Sequence, residues 1–122
     1  MANPSKRTVA VVDDDAAMRQ AIQRVLDTEG FVTELFGTAE AFLESGALSR
    51  AQCLVLDIRL PGLSGVELYE HLLSIGKAVP TVFITAHEGA QTRRIAATGT
   101  DCLVKPFLGE ALLEAVTRSI AR

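Results

Sequence analysis

Cys53-Leu54-Val55-Leu56-Asp57-Ile58-Arg59-Leu60-Pro61-Gly62 decides how the rest of the chain is read. Uncharged residues run up to one carboxylate, and a Pro-Gly turn follows shortly after it. A short apolar run bounded by turn signals reads as a strand, 53–56, buried on both faces. Strands of that kind belong to parallel sheets covered by helices. The closing carboxylate then stands at the rim of the sheet. In open α/β sheets, ligands bind in the crevice outside the carboxyl ends of the strands. Asp57 is therefore the first candidate for chemistry.

Upstream, Thr8-Val9-Ala10-Val11-Val12 is a second such run, ended by Asp13-Asp14-Asp15. Residues 1–7 before it read as a flexible leader, leaving 8–122 as one domain. A helix over 16–29 follows, with Met18, Ile22, Val25 and Leu26 on one face and Gly30 as its stop. Phe31 to Phe36 reads as a strand, and Thr38 as the N-cap of a short helix ending near Leu43 or Glu44. Downstream of Asp57, Ser64 and Glu67 stand at capping-box spacing. They open a helix that buries Leu68, Leu72 and Tyr69 and ends at Gly76. Pro80 introduces a strand over 81–84. The helix over 89–98 is weak, because Ile95 is its only large aliphatic residue. Asp101 to Val104 is the fifth strand, closed by Lys105-Pro106, and a last helix over 109–121 carries Leu112, Leu113, Val116 and Ile120. Five strand–helix alternations imply a parallel sheet with helices on both faces. The switch point is expected between the first and third strands, since both end in aspartates.

With 122 residues the chain suffices for one domain with one core. Aromatic residues are only 5%, so that core is aliphatic. A net charge of −3 argues against nucleic-acid binding by this chain alone. No stretch approaches the ~20 apolar residues of a membrane helix, and the apolar run at the start is too short for a signal peptide. Cys53 and Cys102 both fall in expected strands. They read as a reduced, buried pair in a cytoplasmic protein.

Four strand ends carry polar residues after apolar runs: Asp13-Asp14, Asp57, Thr85 and Lys105. In a parallel sheet all four ends share one edge. Two carboxylates ~5 Å apart repel by about 3 kcal/mol at an effective dielectric of ~20. A cation must neutralise them: Lys105 supplies one charge and a divalent metal two. Oxygen donors without a Cys or His set point to Mg²⁺ before Zn²⁺. One oxygen of Asp57 is then free to attack phosphorus. Lys105, the Thr85 hydroxyl and the N–H of Ala86 are candidates to hold the phosphoryl oxygens.

These pieces resemble the receiver domain of two-component response regulators over nearly the whole chain. The matching stretches are Val11-Val12-Asp13-Asp14, Leu56-Asp57-Ile58-Arg59-Leu60-Pro61-Gly62 with Ser64-Gly65, Ile84-Thr85-Ala86, and Lys105-Pro106-Phe107. The resemblance implies a flavodoxin-like, doubly wound sheet in the order 2-1-3-4-5. It implies that Asp57 accepts a phosphoryl group from a sensor histidine kinase. Asp13, Asp14, Asp57 and the backbone carbonyl of Arg59 would hold Mg²⁺, Thr85 would be the switch hydroxyl, and Lys105 would contact the phosphoryl group. It also implies a cis bond before Pro106. Met18 and Arg19 follow Asp13 and Asp14 at the family spacing, which leaves Asp15 as a helix N-cap. The details lean toward regulators of the nitrogen-fixation and nodulation type. Those carry a C-terminal DNA-binding output domain, and such receivers act as monomers or as phosphorylation-dependent dimers. A receiver catalyses only its own aspartyl phosphorylation and dephosphorylation.

Two departures from the family pattern stand out. Cys102 occupies the place of an aromatic residue three positions before the lysine of the fifth strand. The interval from Thr85 to Lys105 is also shorter than usual by two residues, so the fourth helix should be short, frayed or displaced. A phosphorylation-independent interaction module with a vestigial acidic site is the alternative reading. A phosphatase with turnover fits less well, because Arg59 stands where a second aspartate would serve as acid–base. His87 reads as an exposed loop residue, with an influence on dephosphorylation as its other reading. The Arg59 side chain is open in the same way, and Arg93-Arg94 reads as a solvated face.

Overall fold

The structure is a computed structural model that describes residues 7–121. Five strands form one parallel sheet: β1 (Thr8–Val12), β2 (Val32–Phe36), β3 (Cys53–Asp57), β4 (Thr81–Thr85) and β5 (Cys102–Val104). Their order is β2-β1-β3-β4-β5. Five helices alternate with them: α1 (Ala16–Asp27), α2 (Ala39–Ser45), α3 (Gly65–Ser74), α4 (Ala90–Ala97) and α5 (Gly109–Ala121). The switch point lies between β1 and β3, as the aspartates at their ends foretold.

Alternation along the central strands divides the core in two. Ala10, Val12, Leu54, Leu56 and Phe83 pack with Phe42, Leu68 and Leu72 of α2 and α3. Val9, Val11, Cys53, Val55, Val82 and Ile84 pack with Ile22, Leu26, Leu112 and Val116 of α1 and α5. Every residue of β3 and β4 is buried, the condition of strands covered on both faces. Burying a side chain such as Leu54 or Leu56 contributes roughly 1.5–3 kcal/mol.

Local signals set most boundaries. Asp15 caps α1, accepting from the N–H groups of Ala17 and Met18. Thr38 caps α2, and Ser64 with Glu67 forms a reciprocal capping box on α3. Gly30, at φ 80°, reverses the chain after α1. The Lys105–Pro106 bond is cis.

Several expectations are corrected in detail. Helix α1 stops at Asp27 rather than 29, because Phe31 donates its N–H to the Leu26 carbonyl in a C-terminal turn. That same turn keeps Phe31 out of β2. Strands β3 and β4 each run one residue further, so Asp57 and Thr85 are themselves strand residues, and β5 begins at Cys102 rather than Asp101. A 3-10 turn at Ala47–Ser49 follows α2, nucleated where the Ser45 hydroxyl accepts the Ala47 N–H. Helix α4 is short, with eight residues, but Thr92 is its buried residue and Ile95 is only partly covered. Cys53 is buried, while Cys102 is half-buried; both thiols are free. The expected leader lies outside the described residues apart from Arg7, whose carbonyl accepts the Val32 N–H. Among the described residues no helix is long and apolar enough to cross a membrane.

Candidate functional site

Sheet register brings the charged strand ends together. Val12 is paired with Leu56, so Asp13 follows β1 directly beside Asp57 at the end of β3. Thr85 is paired with Val104 across β4 and β5, and Lys105 follows at once. The Lys105 N–H donates to the Thr85 carbonyl at 2.7 Å.

Lys105 reaches back across two strands. Its Nζ donates to Asp13 Oδ2 at 2.9 Å and to Asp57 Oδ2 at 3.0 Å. Asp13 is fully buried and Asp57 is 5% exposed. Each carboxylate is oriented by the backbone two residues onward. The Asp15 N–H donates to Asp13 Oδ1 at 2.9 Å, and the Arg59 N–H donates to Asp57 Oδ1 at 3.0 Å. Such side-chain turns are what short acidic residues favour where a strand gives way to a loop. Arg19 adds a hydrogen bond of 2.6 Å to the Asp13 carbonyl, which ties the start of α1 to the end of β1.

Asp14 is exposed, yet it offers a carboxylate oxygen within 4.8 Å of those of Asp13 and Asp57. Three carboxylates against one ammonium leave a formal charge of −2. The donors are all oxygens, with no thiolate or imidazole among them. This set fits a hard divalent cation of the Mg²⁺ type, both in charge and in ligand chemistry.

Burial pushes the Asp57 carboxyl above the usual range. The Arg59 N–H and Lys105 pull it down, and Asp13 adds to the rise, but burial prevails. For Lys105, burial acts to lower its pKa, while the hydrogen bonds to Asp13 and Asp57 outweigh it and raise the ammonium. Ion pairs placed inside a protein rarely repay their desolvation in stability. A perturbed carboxylate with a specific charge partner at a strand end is the pattern of a functional site.

Thr85 is 2% exposed, but its hydroxyl is engaged away from the carboxylates. Thr85 Oγ1 donates to the His87 carbonyl and accepts the His87 N–H, both at 3.2 Å. The Thr92 hydroxyl also donates to the His87 carbonyl, at 3.1 Å, so the β4–α4 connection is tied to both. The side chains of Asp13, Asp14, Asp57 and Lys105 are thus brought together as expected. Thr85 joins them through its backbone, and Arg59 through its N–H. Ala86 and His87 are exposed at the same edge.

Two features were not read from the sequence as determinants of the site. Gly65 opens α3 directly against β3: a Cβ there would lie 2.0 Å from the Asp57 carbonyl oxygen. Its place in the Ser64-Gly65 match was the only available signal. Glu40 in α2 accepts the Leu63 N–H at 2.9 Å. No local pattern announces a contact between residues so far apart in sequence. On the other flank, Cys102 stands in register with Phe83, whose ring meets Tyr69 edge-on at 5.2 Å. Burial pushes the Cys102 thiol up.

The family model described as response regulator receiver domain matches residues 9–117. This chain belongs to that family. Nodulation protein W of Bradyrhizobium diazoefficiens is 36% identical over 120 residues, covering 97% of this chain and 53% of that protein. Transcriptional regulatory protein FixJ of Azorhizobium caulinodans is 32% identical over 123 residues, covering 98% of this chain and 57% of that protein. The chain therefore spans about half the length of these curated relatives. Among solved structures, the response regulator StyR superposes with a TM-score of 0.85 at 41% identity, over 96% of this receiver and 60% of that chain. The lean toward regulators of the nodulation type is thus matched by a relative of that name.

Proposed function

We propose that this receiver domain is a phosphorylation-dependent signalling switch in which Asp57 is the phosphoacceptor. The observation that carries the reading is the Lys105 ammonium bridging Asp13 and Asp57, with Asp14 completing a cluster of net −2 at the switch point. A carboxylate oxygen of Asp57 attacks the phosphorus of a phosphohistidine on a sensor histidine kinase. The P–N bond breaks, the electron pair leaves with the imidazole, and an acyl phosphate forms on Asp57. Phosphoryl transfer asks chiefly for positioning and charge neutralisation, and the site offers both.

Each residue has a distinct part. The Arg59 N–H holds the Asp57 carboxylate in a fixed orientation. Lys105 neutralises charge on the transferred group, as it now does on the two carboxylates. Asp13, Asp14, Asp57 and the Arg59 carbonyl would hold Mg²⁺, which when bound supplies the remaining positive charge. The Thr85 hydroxyl exchanges the His87 carbonyl for a phosphoryl oxygen. Because Thr92 shares that carbonyl, the exchange loosens the hold on α4 and shifts the population of the α4–β5–α5 surface. Water later hydrolyses the acyl phosphate, so the domain catalyses only its own modification and its reversal. We place the protein in the cytoplasm, with a DNA-binding output domain reading the shift.

Intact-mass spectrometry after incubation with acetyl phosphate and Mg²⁺ tests this. The wild type gains one phosphoryl group; Asp57→Ala and EDTA-treated protein gain none. Absence of both an adduct and a beryllofluoride complex in the wild type would refute the switch and favour an interaction module.

A further inference from the structure

The loop between β3 and α3 carries more of the site than its sequence suggests, and it is secured at two levels. At its base, the Gly65 N–H donates to the Ile58 carbonyl at 3.0 Å, and the Arg59 N–H donates to Asp57 at 3.0 Å. At its tip, the holding group comes from another part of the chain. Glu40, in the first turn of α2, places Oε2 2.9 Å from the Leu63 nitrogen. Gly62 lies under the same carboxylate with φ 71°, and a Cβ there would stand 2.6 Å from that oxygen. The carboxylate is seated directly on the backbone of residues 62 and 63. The Leu63 N–H draws the Glu40 carboxyl below its usual range, the mark of a bond made to the charged form.

We propose that Glu40 is a positioning residue for the cation site. By clamping the tip of the 59–63 loop it holds the Arg59 backbone in place. The Arg59 N–H then orients Asp57, and the Arg59 carbonyl is set as a ligand. Glu40 touches neither cation nor phosphoryl group. It acts as outer partners do at metal centres, by fixing the groups that make the contact. The inference rests on the metal set given under the proposed function.

The test is Mg²⁺ titration by calorimetry on the wild-type chain, Glu40→Ala and Glu40→Gln, all confirmed folded by circular dichroism. Tryptophan fluorescence is not an option, since the chain has no Trp. Glu40→Ala is expected to weaken Mg²⁺ binding about tenfold, the low end for an outer partner. Glu40→Gln keeps an oxygen at the same reach and is expected to retain most of the affinity. Leu63 amide exchange, followed without metal by NMR, should speed up in Glu40→Ala and stay slow in Glu40→Gln. Unchanged affinity in Glu40→Ala overturns the proposal. So does equal weakening in both variants, which would mark a through-space effect of charge. A wild type that takes up no Mg²⁺ overturns the metal set itself, and is told apart because no variant then has an affinity to change.

Discussion

Gly65→Ala adds a single methyl group, and the geometry sets the sign of its effect. In a helix, alanine is favoured over glycine by up to ~1 kcal/mol, so propensity alone would stabilise the variant. The new Cβ, however, would lie 2.0 Å from the Asp57 carbonyl oxygen, 2.9 Å from its carbon and 3.0 Å from the Ile58 Cα. The closest of these is roughly 1.5 Å inside the ~3.5 Å at which such atoms are at ease. All three are backbone atoms and cannot swing aside as a side chain would. Either α3 moves off the sheet or the end of β3 moves with Asp57. An overpacked core loses typically 1–3 kcal/mol, and this contact belongs at the upper end. For a domain of this size the thermal midpoint should fall by roughly 10 °C. Gly109→Ala is the matched control, because the nearest atoms its Cβ would meet belong to the Val25 side chain, at 3.1 Å, rather than to backbone. Thermal unfolding by circular dichroism reads both variants, and acetyl phosphate labelling reads the displacement of Asp57. A Gly65→Ala midpoint at or above the wild type would refute the reasoning.

Burial raises the Asp57 carboxyl, so the folded chain holds that proton to higher pH than the unfolded one. Stability from this group is therefore complete below the ordinary carboxylate range and is lost as pH rises through the raised value. Without metal, Asp57→Asn should melt above the wild type at neutral pH, and the gap should close on acidification; a pH series of melting curves in EDTA checks it. Lys105→Met removes the cation between two buried carboxylates, so its midpoint should drop in EDTA and recover more with Mg²⁺ than the wild type gains. Paired melts with and without Mg²⁺ decide that. Thr92→Val deletes a buried hydroxyl that donates to the His87 carbonyl, at about 1 kcal/mol. Amide exchange should rise within α4 while β1 and β3 stay protected.

What the sequence disclosed and what it hid divide along physical lines. Fully buried strands announce themselves, because β3 and β4 must be apolar on both faces, and a single polar residue at each end then stands out. Caps were legible for the same local reason: Asp15, Thr38 and the Ser64–Glu67 pair act within one turn of their own residues. Helix α4 was legible as short but not in its orientation. With few large apolar residues its periodicity is nearly silent, and the face turned inward is fixed by Thr92 reaching the His87 carbonyl. The grip of Glu40 on Leu63 left no trace in the sequence, and Arg19 stood out by its spacing from the aspartates but not by its bond to the Asp13 carbonyl. A bond from side chain to backbone asks nothing of the residue that receives it. Cys102 was noticed by contrast with the family pattern, and its half-burial follows from β5 being a short edge strand.

The bond from Lys105 to Asp13 joins positions 92 residues apart. On a ribosome, the aspartates at the ends of β1 and β3 emerge long before the ammonium that lies between them. A nascent chain can close β1 on β3 and still lack the central cation. Its two carboxylates then repel until the last strand is laid down. The lysine-bridged pair is therefore complete only in a chain whose fifth strand is in place.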